Sequence, residues 1–119
     1  MLPAVRALGI GGIAYNPLAG GLLTSVPPDE RPATARLATN KRYQALYLNE
    51  RSLAFRGRLE SLCIKLEQPL ETVALCWLLA RTGIDACLIG ASSGMQLQAL
   101  LAQPITPLSP ECRRQVEAL

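Results

Sequence analysis

Two short apolar runs, Ile10–Tyr15 and Ala86–Gly90 within "IDACLIG", are the only convincing strands in this chain, and helical spacing fills most of what lies between them. Both are bounded by glycine and lack the alternation of apolar and polar side chains, which predicts strands buried on both faces. Strands that alternate with helices pair in parallel through right-handed crossovers, so the class is α/β. A sheet of two such strands leaves both edges unpaired and much apolar helix surface uncovered, which a stable solitary domain avoids.

The helices are legible from their punctuation. Leu2 to Leu8 resembles the last turns of a helix capped by Gly9, so the chain is expected to begin inside an element. Leu18 to Asn40, with "VPPDERP" inside it, reads as a long irregular connection, of the length that usually carries function. Tyr43 and Tyr47 stand four apart and share a helical face, with packing as the expected role. Phe55, Leu59, Leu62, Cys63 and Leu66 recur as on an amphipathic helix that stops before Pro69. Leu70 to Arg81 is apolar nearly all round, predicting a helix sandwiched between sheet and helix, with Thr82 and Gly83 ending it. Ser92 or Ser93 caps a helix running to about Ala102, and Ser109 with Pro110 opens the last one.

At 119 residues, half of them hydrophobic, the chain has material for one packed domain, 1–119, and no more. Its net charge of +3 is spread among acidic residues and its aromatic fraction is 4%, so neither a basic stripe nor stacking platforms support nucleic-acid binding. Cys63, Cys76, Cys87 and Cys112 form no C-x-x-C pair and read as reduced, buried small hydrophobes. Histidine is absent, which removes His-dependent triads and most zinc sites, and no metal site is expected. "MLPAVRALGIGG" is a poor signal peptide, and the longest apolar run, Val73 to Ala80, falls short of the ~20 residues a spanning helix needs. A soluble cytoplasmic protein without membrane contact is expected.

The exit from the first strand, "GIAYNPLAGGLL", is unusual. Taken alone, Tyr15 reads as a core aromatic and Asn16-Pro17 as a turn; the other reading is a place where the chain approaches a ligand closely, with an aromatic face and two side-chain-free positions. Gly9, Gly11 and Gly12 do not make a dinucleotide fingerprint. They precede the strand, whereas that motif follows it and opens a helix.

"AYNPLAGGLLT", "RYQALYLNERS", "LETVALCWLLARTGIDACLIGASSGMQLQALLA" and "PLSPE", in that order, resemble the carboxy-terminal part of the aldo-keto reductases, of the aflatoxin-aldehyde-reductase type. The similarity covers nearly the whole chain. It implies a partial (β/α)8 TIM barrel, a fold of ~250 residues when complete, of which this chain holds the last two parallel strands with their helices. The missing strands would then lie upstream of Met1, as in a truncated product or fragment.

The resemblance also assigns residues. Tyr15 would stack on a nicotinamide, while Asn16, Leu18, Gly20 and Gly21 line the pyrophosphate channel. Gly90, Ser92 and Ser93 would form the second half of the cradle, with Gln96 against the adenosine portion; simple helix capping explains Ser93 equally well. The implied cofactor is NADP, with NAD open because no Lys or Arg lies between Cys87 and Gln103. Leu100 stands where the family tends to have an asparagine, and "LLTS" lacks the usual Gly-Lys.

Aldo-keto reductases transfer hydride to a carbonyl carbon with a tyrosine, lysine, aspartate and histidine delivering the proton. No catalytic residue is carried onto this chain. The expectation is a cofactor-binding segment that is not catalytic alone, acting on small carbonyl substrates only within a complete barrel. A non-catalytic half-barrel that pairs through its open strand edges, with a partner or with itself, is the alternative. Arg31, Arg36, Lys41 and Arg42 read as a solvated basic stretch.

Overall fold

The computed structural model describes residues 2–119. Helix α1 (Leu2–Ala7) ends at Gly9, whose φ of 63° lets the N–H groups of Gly9 and Ile10 reach back to the carbonyls of Arg6 and Val5. Strand β1 (Ile13–Tyr15) follows, then single 3-10 turns at Ala19–Gly21 and Pro28–Glu30. Helices α2 (Arg36–Thr39), α3 (Lys41–Tyr47), α4 (Glu50–Leu66) and α5 (Leu70–Leu79) lead to strand β2 (Ala86–Leu88). Helices α6 (Gly94–Ala102) and α7 (Pro110–Glu117) close the chain.

The strands pair in parallel, Ile13 with Ala86, Ala14 with Cys87 and Tyr15 with Leu88, and form the one sheet among the described residues. This is the parallel pairing expected from strand and helix alternation. The first strand is shorter than its apolar run because the chain ahead of it is engaged otherwise. Gly12 donates its N–H to the Asp85 carboxylate at 2.7 Å and accepts from the Asp85 N–H at 2.8 Å. A Cβ at Gly12 would stand 1.9 Å from the Gly83 carbonyl oxygen, so only glycine admits this approach.

Burial on both faces, the expectation for these strands, is not what the structure shows. Each alternates exposed, half-buried, exposed. Ile13, Tyr15 and Leu88 are 64%, 70% and 59% exposed, so one sheet face is open. Helices cover the other face alone: Cys87 and the following Ile89 pack against a cluster of Leu18, Ala74, Leu75 and Leu100. Among the described residues nothing lies on the open side to complete the burial.

A second core gathers Leu59 and Cys63 of α4, Leu70 and Val73 of α5 and Val116 of α7. Helix α5 stands between the two clusters, which is why it is apolar nearly all round. Caps fix the helix starts: Asn40, Asn49, Ser93 and Ser109 each accept first-turn N–H groups through their side chains. Helix α4 ends with Glu67 in the left-handed region, ahead of Pro69, which opens α5. The four cysteines are free thiols, three of them buried, and burial pushes the Cys63 thiol up to about 11. No helix among the described residues is long and apolar enough to cross a membrane.

Candidate functional site

Parallel pairing sends both strands out of the sheet along the same edge. Tyr15 is the direct partner of Leu88, so Asn16 and the Ile89–Gly90 segment leave side by side. Asn16 turns the chain at once, with φ of 56°. Its side chain brackets the turn: Oδ1 accepts the Gly20 N–H at 2.8 Å and Nδ2 donates to the Tyr47 hydroxyl at 2.9 Å. One residue earlier, the Tyr15 hydroxyl lies 3.1 Å from that of Tyr43. Two neighbouring residues of the strand end are thus tied to the two tyrosines of α3.

The paired glycines meet side chains of the chain itself. A Cβ at Gly20, where φ is 68°, would come within 2.3 Å of Tyr43 Cδ1; at Gly21, where φ is 107°, it would come within 2.7 Å of an Arg31 guanidinium nitrogen. Their N–H groups are engaged in the turn, Gly20 with Asn16 Oδ1 and Gly21 with the Leu18 carbonyl at 2.9 Å. Leu18 is buried in the core beneath the sheet, which leaves its backbone to line the turn above. The side-chain-free positions make room for Tyr43 and Arg31 of the chain itself.

Arg31 departs from the expected solvated stretch. Its guanidinium donates to Thr24 Oγ1 at 2.9 Å and twice to the Val26 carbonyl, at 2.7 and 3.1 Å. It folds the loop back on itself instead of pointing into water. Partial burial, and the positive charge of Arg56, lower its pKa. Arg36 is also engaged, 5.6 Å from the centroid of the Tyr43 ring, a cation–π distance.

The second strand exit is more open. Gly90 has nothing within 4 Å of where a Cβ would be. At the start of α6, Ser93 Oγ accepts the Gln96 N–H at 3.2 Å, and Gln96 Oε1 accepts the Ser92 N–H at 2.7 Å. This reciprocal pairing is a near relative of the capping box, and it accounts for Ser92, Ser93 and Gln96 as a unit. The first turn carries no acidic residue, so the helix end is hospitable to an anion.

The phenol pair is electrically uneven. The hydrogen bond between them raises the Tyr15 pKa and lowers that of Tyr43, and the positive charges of Arg36 and Arg42 favour ionised Tyr43 further. Tyr43, Tyr47 and Arg31 did not stand out as site residues in the sequence. The tyrosines read as packing, and only their position on the loop that follows the strand could have hinted otherwise.

A cleft of about 780 Å³ lies elsewhere, lined by residues that include Leu2, Arg6, Arg81, Thr82, Arg113 and Glu117. Thr82 precedes β2, so the cleft belongs to the opposite end of the sheet from the strand exits. Arg81 is paired there with Glu117 at 2.9 Å. Among the described residues no three His, Cys, Asp or Glu side chains are grouped to hold a metal ion.

Comparison with known proteins gives a consistent result. A family model described as the aldo/keto reductase family matches residues 1–119. An uncharacterized oxidoreductase of Bacillus subtilis (strain 168) is 35% identical over 98 residues, 82% of this chain and 28% of that protein. An aldo-keto reductase of Fusarium vanettenii is 31% identical over 113 residues, 93% of this chain and 30% of that protein. Among solved structures, the holo form of aldo-keto reductase AKR11C1 from Bacillus halodurans is similar over 98% of this chain and 36% of that one, with a TM-score of 0.68 and 26% identity. The chain thus spans about a third of the length of the relatives it matches.

Proposed function

We propose a function from the premise that the chain belongs to the aldo/keto reductase family: it is the cofactor-holding carboxy-terminal part of an NAD(P)H-dependent carbonyl reductase. The observation that carries this reading is the strand register, which opens Tyr15 and the Ile89–Gly90 exit along one edge. Family membership implies a nicotinamide cofactor, and the residues fit one. Tyr15 offers an exposed aromatic face at a strand end, Gly90 leaves its surroundings clear, and the α6 start has hydroxyls without acidic side chains.

In this reading the two strands are the last two of a (β/α)8 barrel, with 1–119 as one carboxy-terminal unit, and the open sheet face looks toward the barrel interior. Tyr15 supports the flat nicotinamide, and the backbone of Asn16, Leu18, Gly20 and Gly21 borders the pyrophosphate. Ser92 and Ser93 contribute hydroxyls, and Gln96 faces the adenosine side. Because Gln96 already occupies the Ser92 N–H, a phosphate oxygen arriving there competes with the Gln96 amide and releases that side chain. NADP is the proposed nucleotide, with NAD admitted by the missing basic residue beside α6; the subtype is that of the aflatoxin aldehyde reductases, acting in the cytoplasm.

A bound nicotinamide supplies the hydride, while the proton must come from catalytic residues this chain does not carry; it has no histidine at all. The 119-residue chain is therefore expected to bind NADPH weakly and to leave it unoxidised in the presence of a small aromatic aldehyde, followed by nicotinamide absorbance. Oxidation above the blank would overturn the non-catalytic assignment. Absence of binding at millimolar nucleotide overturns the cofactor assignment. A second reading, association through the sheet, is favoured by the exposure of Ile13 and Leu88.

A further inference from the structure

The structure ties Tyr15 to a residue that the family resemblance does not assign. We propose that Tyr43 is a positioning residue for the nicotinamide platform, holding the Tyr15 ring in place through the bond between the two hydroxyls. The inference rests on the cofactor reading above and deepens it.

Tyr15 hangs from a three-residue strand and is 70% exposed, so its backbone alone leaves the ring free to change rotamer. A hydrogen bond at the far end of the ring removes that freedom. Tyr43 is itself fixed on several sides. Its N–H is capped by Asn40, its ring lies against the Gly20 backbone, and the Tyr47 ring meets it edge-on at 5.7 Å and 64°. The Arg36 guanidinium stands over the same ring.

The geometry is compatible with a ligand. Stacking uses the face of a phenol ring, whereas the hydroxyl bond lies at its rim, so the Tyr15–Tyr43 bond can persist with a flat ring on Tyr15. Tyr47 does for Asn16 what Tyr43 does for Tyr15, so α3 steadies both residues at the exit. Glycine at position 20 then has a purpose within the site: any side chain there would push away the ring that orients the platform.

The test uses the full chain with NADPH in excess and reads saturation transfer to nicotinamide and adenine protons separately, alongside affinity. Tyr43→Phe keeps the ring against Gly20 and loses only the hydroxyl. Its expected effect is about a fivefold rise in Kd, the size of one neutral hydrogen bond, with nicotinamide contact falling relative to adenine. Tyr15→Phe, which breaks the same bond from the other side, is expected to reproduce it. With Tyr15→Ala already in place, Tyr43→Phe should cost nothing further, because the residue acts through Tyr15. Unchanged binding in Tyr43→Phe, equal loss at both ends of the nucleotide, or additive losses in the double variant would each overturn the positioning role while leaving the cofactor reading intact. No transfer from the wild-type chain to either end of the nucleotide overturns both.

Discussion

Arg56 is 6% exposed on α4, yet it carries a full charge into the packed part of the molecule. It is tolerated there because its guanidinium is well occupied. Nε donates to the Leu22 carbonyl at 3.1 Å, Nη2 to the Thr24 carbonyl at 3.3 Å and Nη1 to Glu60 at 2.9 Å. Arg31 grips the same loop from Thr24 and Val26, so two arginines hold the segment that follows the strand exit. Arg56→Met is expected to lower unfolding stability by about 2 to 3 kcal/mol in urea, since it strips charge-assisted bonds from buried carbonyls. Arg56→Lys should recover only part of this, as a single ammonium cannot satisfy the same forked set. Stability within about 0.5 kcal/mol of wild type, the range of an ordinary surface change, would show that the loop does not depend on this anchor. Tyr15, Asn16, Gly20 and Gly21 announced themselves through local oddity, whereas Tyr43 matters through a bond to Tyr15, 28 residues away, and Arg31 through bonds to Thr24 and Val26 within its own irregular loop, which helix or strand spacing does not encode.

Helix α5 is the element whose sequence spoke most clearly. Apolar side chains on every face require cover on every face, and the two clusters on either side of it provide that. Helix starts were equally readable, at Ser92 or Ser93, of which Ser93 makes the cap, and at Ser109, because a cap is a property of a few consecutive residues. The strands were harder. A glycine-bounded apolar run predicts burial on both faces, but burial depends on what else packs there, and one face here is open. Parallel pairing was legible; the ladder's length was not, because the Gly12–Asp85 link that ends it joins distant residues. Protection from amide exchange should follow the same division. Amides of Val73 to Cys76 are expected to be the last to exchange, and those of the β1–β2 ladder to exchange well before them. Ladder amides that outlast those of α5 would mean that the open face is covered in solution.

At the scale of the whole molecule, the open face dominates. The radius of gyration is 14.7 Å, against roughly 13.5 Å for a compact domain of this length, so the chain is somewhat loosely gathered. Ile13, Tyr15 and Leu88 present apolar surface on one side of a sheet whose outer edges have no strand partner among the described residues. Unpaired parallel edges beside exposed apolar side chains favour addition of further strands. The purified chain is accordingly expected to associate with rising concentration, seen by size-exclusion chromatography with light scattering. Leu88→Lys places a charge on the face without touching either core, and should shift the population toward monomer while the circular dichroism stays the same. A well-folded monomer at every concentration sinks association through the sheet; association that Leu88→Lys leaves untouched assigns it to another surface. Leu88 is the ladder partner of Tyr15, so this face and the proposed nicotinamide platform are one surface. Nucleotide and self-association should therefore oppose each other, with NADPH lowering the apparent mass of wild-type chain and a Tyr15→Ala variant losing that response.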